Sequence, residues 1–450
     1  MPTLSQRVAA FTSALSWDTL PEPVREKCKV SLLHNLGVAA AGGPLLGPPL
    51  RYAEALQEQG PTASARLLIS GRAATPDTAA FVNGALMHAR AQDDVYFPGF
   101  THVGAVMTPA VLAVAESIEA SGRDVVAALA AGYEAAGALS QGFAPRSTPR
   151  GFRATGIYGV FGSAVGVAHL LQLDAAQTAD TIAIAASAAS GTNQTWVSGT
   201  LEWQVQIGMA ARNGILAARL AAAGCSGAPE ALEGGAGFYR AFLGNLEGVE
   251  QVGHDLGRTW RSLDVTYKPF AVCAILQAPV TQAIAFARAH DLQPRDIRAV
   301  RLHLNPAEAA YPGTDAQGPF ADIGATLMSA QFCLAVALTR RGFLGQDLKR
   351  LDDPLLRPLI ERGRVVPDPT LGSRSFILEI DRADGSTLRH VQNTVGEPFN
   401  WNRHETLDNL RAMAQELPFG TAGAERLGDT VLNAERHSAR DIVSACVVAR

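Results

Sequence analysis

Along the first half of this 450-residue chain, apolar positions recur at helical spacing in one segment after another. Leu4, Val8, Phe11 and Leu15 put one apolar stripe on an amphipathic first helix. Longer helices are predicted over 24–41, 76–91, 104–120, 125–137, 158–171, 176–189 and 208–223. Gly42-Gly43, Ser121-Gly122 and Gly224 mark breaks, where glycine supplies a left-handed cap. Thr75-Pro76 is a start signal: a hydroxyl cap, then a proline whose missing N–H costs nothing in the first turn. Several segments are apolar and small-residue-rich all round, which predicts a tightly packed, mainly buried bundle.

The texture changes after Tyr267. Residues 297–304 alternate as a strand, with Val300, Leu302 and Leu304 opposite Arg301 and His303. Segments 374–380 and 387–392 read as a hairpin joined at Asp384-Gly385, with helices over 273–290 and 325–339 between the strands. From Glu405 the chain returns to helix and is expected to rejoin the bundle. The fold class is therefore mainly α: a large helical domain (1–260 and 396–450) and a smaller α+β lid (261–395).

Composition narrows the function. With 47% hydrophobic and 18% charged residues and a net charge of −4, the chain reads as an ordinary soluble globular protein. Its arginines are scattered, with no basic run, which argues against a nucleic-acid partner. No segment reaches an uninterrupted apolar span of ~20 residues, and the N-terminus lacks signal-peptide features, so no membrane association is expected. Five dispersed cysteines without a CxxC point to reduced thiols and a cytoplasmic setting. Ten dispersed histidines without HExxH leave a mechanism free of metal and cofactor as the expectation. Small-residue helices and low charge predict broad apolar faces and a homodimer.

The most informative stretch is AAFVNGALMHARAQDDVYFPGFTHVGAVMTPAVLAVAE, residues 79–116. Two apolar helices flank a polar hinge holding Gln92, Asp93, Asp94, Thr101 and His102. Carboxylates, a histidine and aromatics on one irregular loop over a rigid scaffold suit acid–base chemistry. An interhelical turn with capping aspartates would have the same sequence. Lys268 is the other candidate. The chain has four lysines against 34 arginines, so a lysine in YKPFAVC suggests a need for a compact, titratable ammonium; a surface lysine before a turn proline is the alternative.

NGALMHARAQDD…THVGAVMTPAVLAVAE resembles the NGxxxHxxDFDD…HPxxxxxPAxLAxAE signature of the MmgE/PrpD family. That family includes 2-methylcitrate dehydratases, cis-aconitate decarboxylase and iminodisuccinate epimerase. The resemblance continues through 150–191, 207–244 and YKPFAVC in the same order. It implies a helical domain with an α+β lid, a cleft between them, and pairing through the helical domain. Residue by residue, His102 matches an acid–base or substrate-orienting histidine, Asp93 and Asp94 a DD pair, and Lys268 a cleft lysine. Side by side, the two aspartates are not expected to share a pocket, so one should brace the loop. Tyr96 and Phe97 would form an apolar wall or pack the hinge.

The departures carry equal weight. The earlier family aspartate is Ala91, the residue after the DD pair is Val95, and a proline position near Lys268 is Ala271. The histidine of the family's GFHPT is Arg153, and a lysine and histidine before the IGMAA helix are Trp203 and Gln206. Such a pocket is less cationic and more aromatic, with Trp196 and Tyr158 as further wall candidates. Arg153 would restore one anion-binding fork. Glu202 would replace the missing base or sit as an exposed charge at a helix start.

The expected function is a cofactor-independent lyase or isomerase that abstracts a proton α to a carboxylate or carbonyl of a small-molecule substrate. His102, Lys268, Asp93 and Glu202 are the catalytic candidates. Arg153, Trp203, Gln206, Tyr96, Phe97, Trp196 and Tyr158 are the binding candidates. Two alternatives stand beside it: a cyclase or isomerase acting on a less anionic intermediate, and an inactive ligand-binding paralogue.

Overall fold

Residues 2–56, 60–393 and 399–448 are described by the computed structural model. The helices predicted from periodicity are present, with shifted ends. They run Leu4–Thr12, Glu22–Gly42, Pro76–Met87, Val103–Ser117, Gly122–Ser140, Ala154–Leu170, Ala175–Ser187 and Glu202–Ala222. Thr75 caps Pro76–Met87 by accepting from Thr78 N at 3.3 Å. Three of these helices lie almost wholly in the core: Val103–Ser117, Gly122–Ser140 and Ala154–Leu170.

Two shifts matter for the site. Pro76–Met87 stops short of the expected 91, because Arg90 is drawn to Glu416 (2.9 Å) and Ala91 turns left-handed (φ 50°). The helix expected from 208 begins at Glu202, which puts Trp203 and Gln206 in its first turns. It crosses Pro76–Met87 at a contact that only glycines permit: a Cβ on Gly84 would lie 3.2 Å from Gly208 Cα. That close crossing sets Trp203 against the end of the shorter helix.

The mixed sheet has the order Gly363–Pro367, Ile297–Leu304, Phe376–Arg382, Thr387–Gln392. The first pair is parallel and the others antiparallel. Val300, Leu302 and Leu304 are buried, whereas Arg301 on the other face pairs with Glu379 and Asp381. The strand Gly363–Pro367 was not expected, and the hairpin's first strand lies two residues later than predicted. The expected 273–290 helix opens with a 3-10 turn before Gln277–Ala289, and 325–339 is two helices, Ile323–Met328 and Ala330–Arg340, joined at Ser329. After the sheet, helices Arg403–Ala412 and Gly420–Leu432 pack against Glu22–Gly42. The expected domain boundary at 395/396 lies outside the described residues.

No single described helix is long and apolar enough to cross a membrane. All five cysteines are unpaired.

Candidate active site

A two-residue ladder assembles the site. Val95–Tyr96 pairs antiparallel with Val265–Thr266, and Tyr96 also exchanges backbone hydrogen bonds with Thr101. The first pairing fixes Asp93 and Asp94 beside Lys268; the second folds His102 back over them. Lys268 Nζ lies 3.5 Å from His102 Nδ1 and donates to the Ala91 carbonyl.

The two aspartates take different roles. Asp94 is structural. Its backbone N–H donates to Asn35 Oδ1, its carboxylate accepts from Gly104 N (3.1 Å) at the start of Val103–Ser117, and Tyr133 donates to its other oxygen. Burial first, then the neighbouring Asp93 charge, pushes Asp94 up to about 7. Asp93 faces the reactive groups. Its Oδ1 accepts from His88 Nδ1 at 2.7 Å and its Oδ2 lies 3.0 Å from His102 Nδ1. Burial opposes ionisation of Asp93, but the positive and N–H-bearing neighbours His88, His102 and Lys268 outweigh it and hold the carboxyl well below its usual range.

The tautomer of His102 follows from its neighbours. Nδ1 has two acceptors close by, the Asp94 carbonyl at 2.8 Å and Asp93 Oδ2, so it carries the proton. One N–H cannot point at both, and it is directed at the carbonyl. Nε2 makes no hydrogen bond among the described residues and is left as the lone-pair face. The side chain is 17% exposed. Burial first, then the Lys268 ammonium, lowers the imidazole below its ordinary value. Burial also lowers Lys268, against the pull of Asp93.

Arg153 stands at the N-cap position of Ala154–Leu170, makes no capping hydrogen bond, and turns its guanidinium inward. It donates to Trp203 O (2.6 Å), Gln206 Oε1 (3.3 Å) and His88 Nε2 (2.6 Å), and stacks over Trp196 at 5.0 Å. Trp203 is fully buried, with its ring 5.1 Å from that of His88 and 5.3 Å from that of Trp196. Thus Trp203, Trp196 and Gln206 line the back of the cluster. Phe97, with Lys268, Glu308 and Tyr267, lines a neighbouring cavity that His88, Asp93, His102 and Arg153 do not line.

Three candidates lie apart from the cluster, Glu202 and Tyr96 in the plainer of the two places expected for them. Glu202 is exposed in the first turn of its helix and makes no hydrogen bond or ion pair among the described residues; it complements the helix dipole. Tyr158 packs against Phe238 in the helical core. Tyr96 is buried in the ladder and donates to Gln141 rather than walling a pocket. Conversely, sequence reasoning passed over His88, although it is the histidine of NGALMHARAQDD. It also gave no hint of Tyr311, whose phenol burial pushes up to about 12 against the pull of the Arg153 guanidinium.

His88, Asp93 and His102 offer donor atoms within 4.8 Å of one another, the spacing of a metal site. The donor set does not fit one. Both Nδ1 atoms carry protons toward acceptors, and the Arg153 and Lys268 cations already flank the trio.

The sequence matches two family models, the MmgE/PrpD N-terminal domain over residues 6–248 and the MmgE/PrpD C-terminal domain over 270–417. It is 28% identical over 374 residues to the cis-aconitate decarboxylase of Aspergillus terreus, covering 79% of this chain and 76% of that relative. The cis-aconitate decarboxylase-like protein oryM of Aspergillus oryzae is 23% identical over 445 residues, 93% of this chain and 91% of its own. The Homo sapiens cis-aconitate decarboxylase is 34% identical over 176 residues, 38% of this chain and 36% of that protein. With the two models together spanning most of its length, the chain belongs to the MmgE/PrpD family.

Proposed function

We propose that this chain is a cofactor-independent lyase or isomerase of the dehydratase, decarboxylase or epimerase type, acting on carbon α to a carboxylate or carbonyl. The observation that carries this reading is the 3.5 Å approach of Lys268 Nζ to His102 Nδ1, with Asp93 Oδ2 3.0 Å from the same atom. His102 Nε2 takes the proton as the C–H bond breaks, and the electron pair moves into an enolate. The Lys268 ammonium supplies the positive charge for the enolate oxygen. Asp93 holds the imidazole and stabilises it once protonated. From that enolate, loss of a group at the β-carbon gives elimination and return of the proton to the other face gives epimerisation; in decarboxylation the C–C pair released as CO2 leaves would form the enolate instead, and protonated His102 would then give a proton to carbon.

A specific observation favours a less anionic substrate than a tricarboxylate. The positions where the family carries a lysine and two histidines hold Trp203, Gln206 and Arg153, and Arg153 uses most of its donors inside the protein. An isomerisation or cyclisation of a more apolar carbonyl compound is therefore the second reading, and an inactive ligand-binding paralogue the third.

Turnover of cis-aconitate, 2-methylcitrate and a panel of mono- and dicarboxylates, followed by proton NMR, tests the proposal. Turnover of a panel member that Lys268→Ala abolishes supports it. Binding without turnover across the panel would favour the paralogue, and robust 2-methylcitrate dehydration would restore an unaltered tricarboxylate pocket.

A further inference from the structure

We infer that Arg153 and His88 are positioning residues, not substrate contacts. They form a hydrogen-bonded chain from Arg153 through His88 to Asp93 that fixes the proton on His88 Nδ1 and aims the Asp93 carboxylate at His102 and Lys268. The inference rests on the proposed acid–base roles for its catalytic consequence; the chain itself stands on geometry.

A guanidinium can only donate. Its 2.6 Å contact therefore makes His88 Nε2 the acceptor and leaves the single imidazole proton on Nδ1, where it meets Asp93 Oδ1 at 2.7 Å. A second proton on His88 would set Nε2–H against the guanidinium. His88 is thus a neutral spacer of one tautomer, and burial, reinforced by Arg153 and His102 against the pull of Asp93, pushes it down to about 3. The T-shaped packing of Trp203 on the ring, at 73°, opposes a ring flip that would exchange the two nitrogens.

The support for Arg153 explains three departures from the family pattern at once. The Trp203 carbonyl and Gln206 Oε1 hold the guanidinium from one helix, and the Trp196 face covers it from Gln194–Ser198. Arg153, Trp203 and Gln206 are one co-adapted unit rather than three independent losses.

The charged and titratable groups facing each member are few. His88 faces Asp93, Arg153 and His102; His102 faces Lys268, Asp93 and Arg153; Asp93 faces His88, His102 and Lys268, with Asp94, His34 and Arg153 also acting on it. With Arg153 at one end and Lys268 at the other, a carboxylate sits between two cations through two neutral imidazoles. Removing the Arg153 charge frees Nε2 of His88 and takes away one of the influences that lower both histidines, so both should protonate at higher pH.

Nitrogen-15 NMR of the full chain with labelled imidazoles reads this without any substrate, and so separates its failure from failure of the proposed reaction. His88→Gln and His102→Gln assign the signals. In the unmodified protein, His88 should show the Nδ1–H tautomer, unchanged between about pH 5 and 9. Arg153→Met should let His88 titrate or mix tautomers, and should raise the His102 midpoint by about half a pH unit or more. Arg153→Lys, which keeps the charge, should leave the His102 midpoint near its original value, a rescue that a mere packing role would not give. An Nε2–H His88, or a His88 titrating at its ordinary value in the unmodified protein, overturns the inference even if the Met variant does not fold. So does a folded Arg153→Met whose His102 midpoint is unmoved.

Discussion

Lys268 Nζ and His102 Nδ1 lie 3.5 Å apart although their residues are separated by 166 positions. The cause is local. Thr266 and Val95 are ladder partners, and Lys268 and Asp93 each lie two residues beyond that pair. The Tyr96–Thr101 hydrogen bonds then bring His102 back onto the same spot. A carbonyl accepting the imidazole N–H, with a carboxylate and an ammonium beside it, leaves Nε2 as the basic atom.

Lys268→Ala should lower kcat/KM by about 100-fold or more, in the range of a lost positioned acid–base or charge-stabilising group. Lys268→Arg should recover little, because a planar, always-charged guanidinium does not fit a site made for a compact ammonium. Steady-state kinetics check both, with thermal melts to show that the fold survives.

Activity requires His102 without its second proton and Lys268 with its proton. Both groups are lowered by burial. The pH profile of kcat/KM should therefore rise with a midpoint below the ordinary imidazole value of ~6.5 and fall with one below the ordinary lysine value of ~10.4. For stability the sign is separate. His88 and His102 protonate more readily in the unfolded chain, so their contribution is lost as pH falls below ~6.5. Equilibrium unfolding as a function of pH reads this directly.

Asp94 behaves oppositely. Its folded value, about 7, lies above the unfolded one, so the folded state binds the extra proton and stability falls as pH rises from ~4 toward 7. Asp94→Asn, with the Tyr133 hydroxyl reversed to accept, should gain stability relative to the unmodified protein across that window. Asp94→Ala should instead cost ~2–4 kcal/mol, since it uncaps Gly104 and leaves the Tyr133 hydroxyl buried without its acceptor. Gly104→Ala should act similarly, because a methyl there meets Asn35, Asp94 and Tyr133 together. Denaturant titrations at pH 5 and 7 distinguish these outcomes.

Glu202→Gln should leave activity within about twofold and stability within ~0.5 kcal/mol, as expected of an exposed side chain with no partner among the described residues. A large loss of kcat would return Glu202 to the catalytic set.

Much of this was legible in the sequence. The alternation of Ile297–Leu304 gives that strand to the residue, and its polar face carries the Arg301 ion pairs. The hinge residues and Lys268 stood out by type and placement. What escaped was tertiary. Ala89-Arg90-Ala91 favours helix locally, yet Glu416 from the chain's tail and Lys268 from just after Val265–Thr266 take the Arg90 side chain and the Ala91 carbonyl. His88 was hidden for the same reason, since on a continuing helix it would face elsewhere. The early start of Glu202–Ala222 has no side-chain cap to announce it. Gly363–Pro367 alternates too weakly to read as a strand.

Carbon-bound hydrogen exchange in deuterium oxide, followed by proton NMR over carboxylate and carbonyl compounds, tests the central claim most directly, because elimination, epimerisation and α-proton transfer all pass through the same proton. Deuterium should enter the α-carbon of at least one mono- or dicarboxylate or carbonyl compound, with the rate reduced about 100-fold or more in both Lys268→Ala and His102→Asn. Exchange that proceeds equally in the unmodified protein and in both folded variants would contradict it.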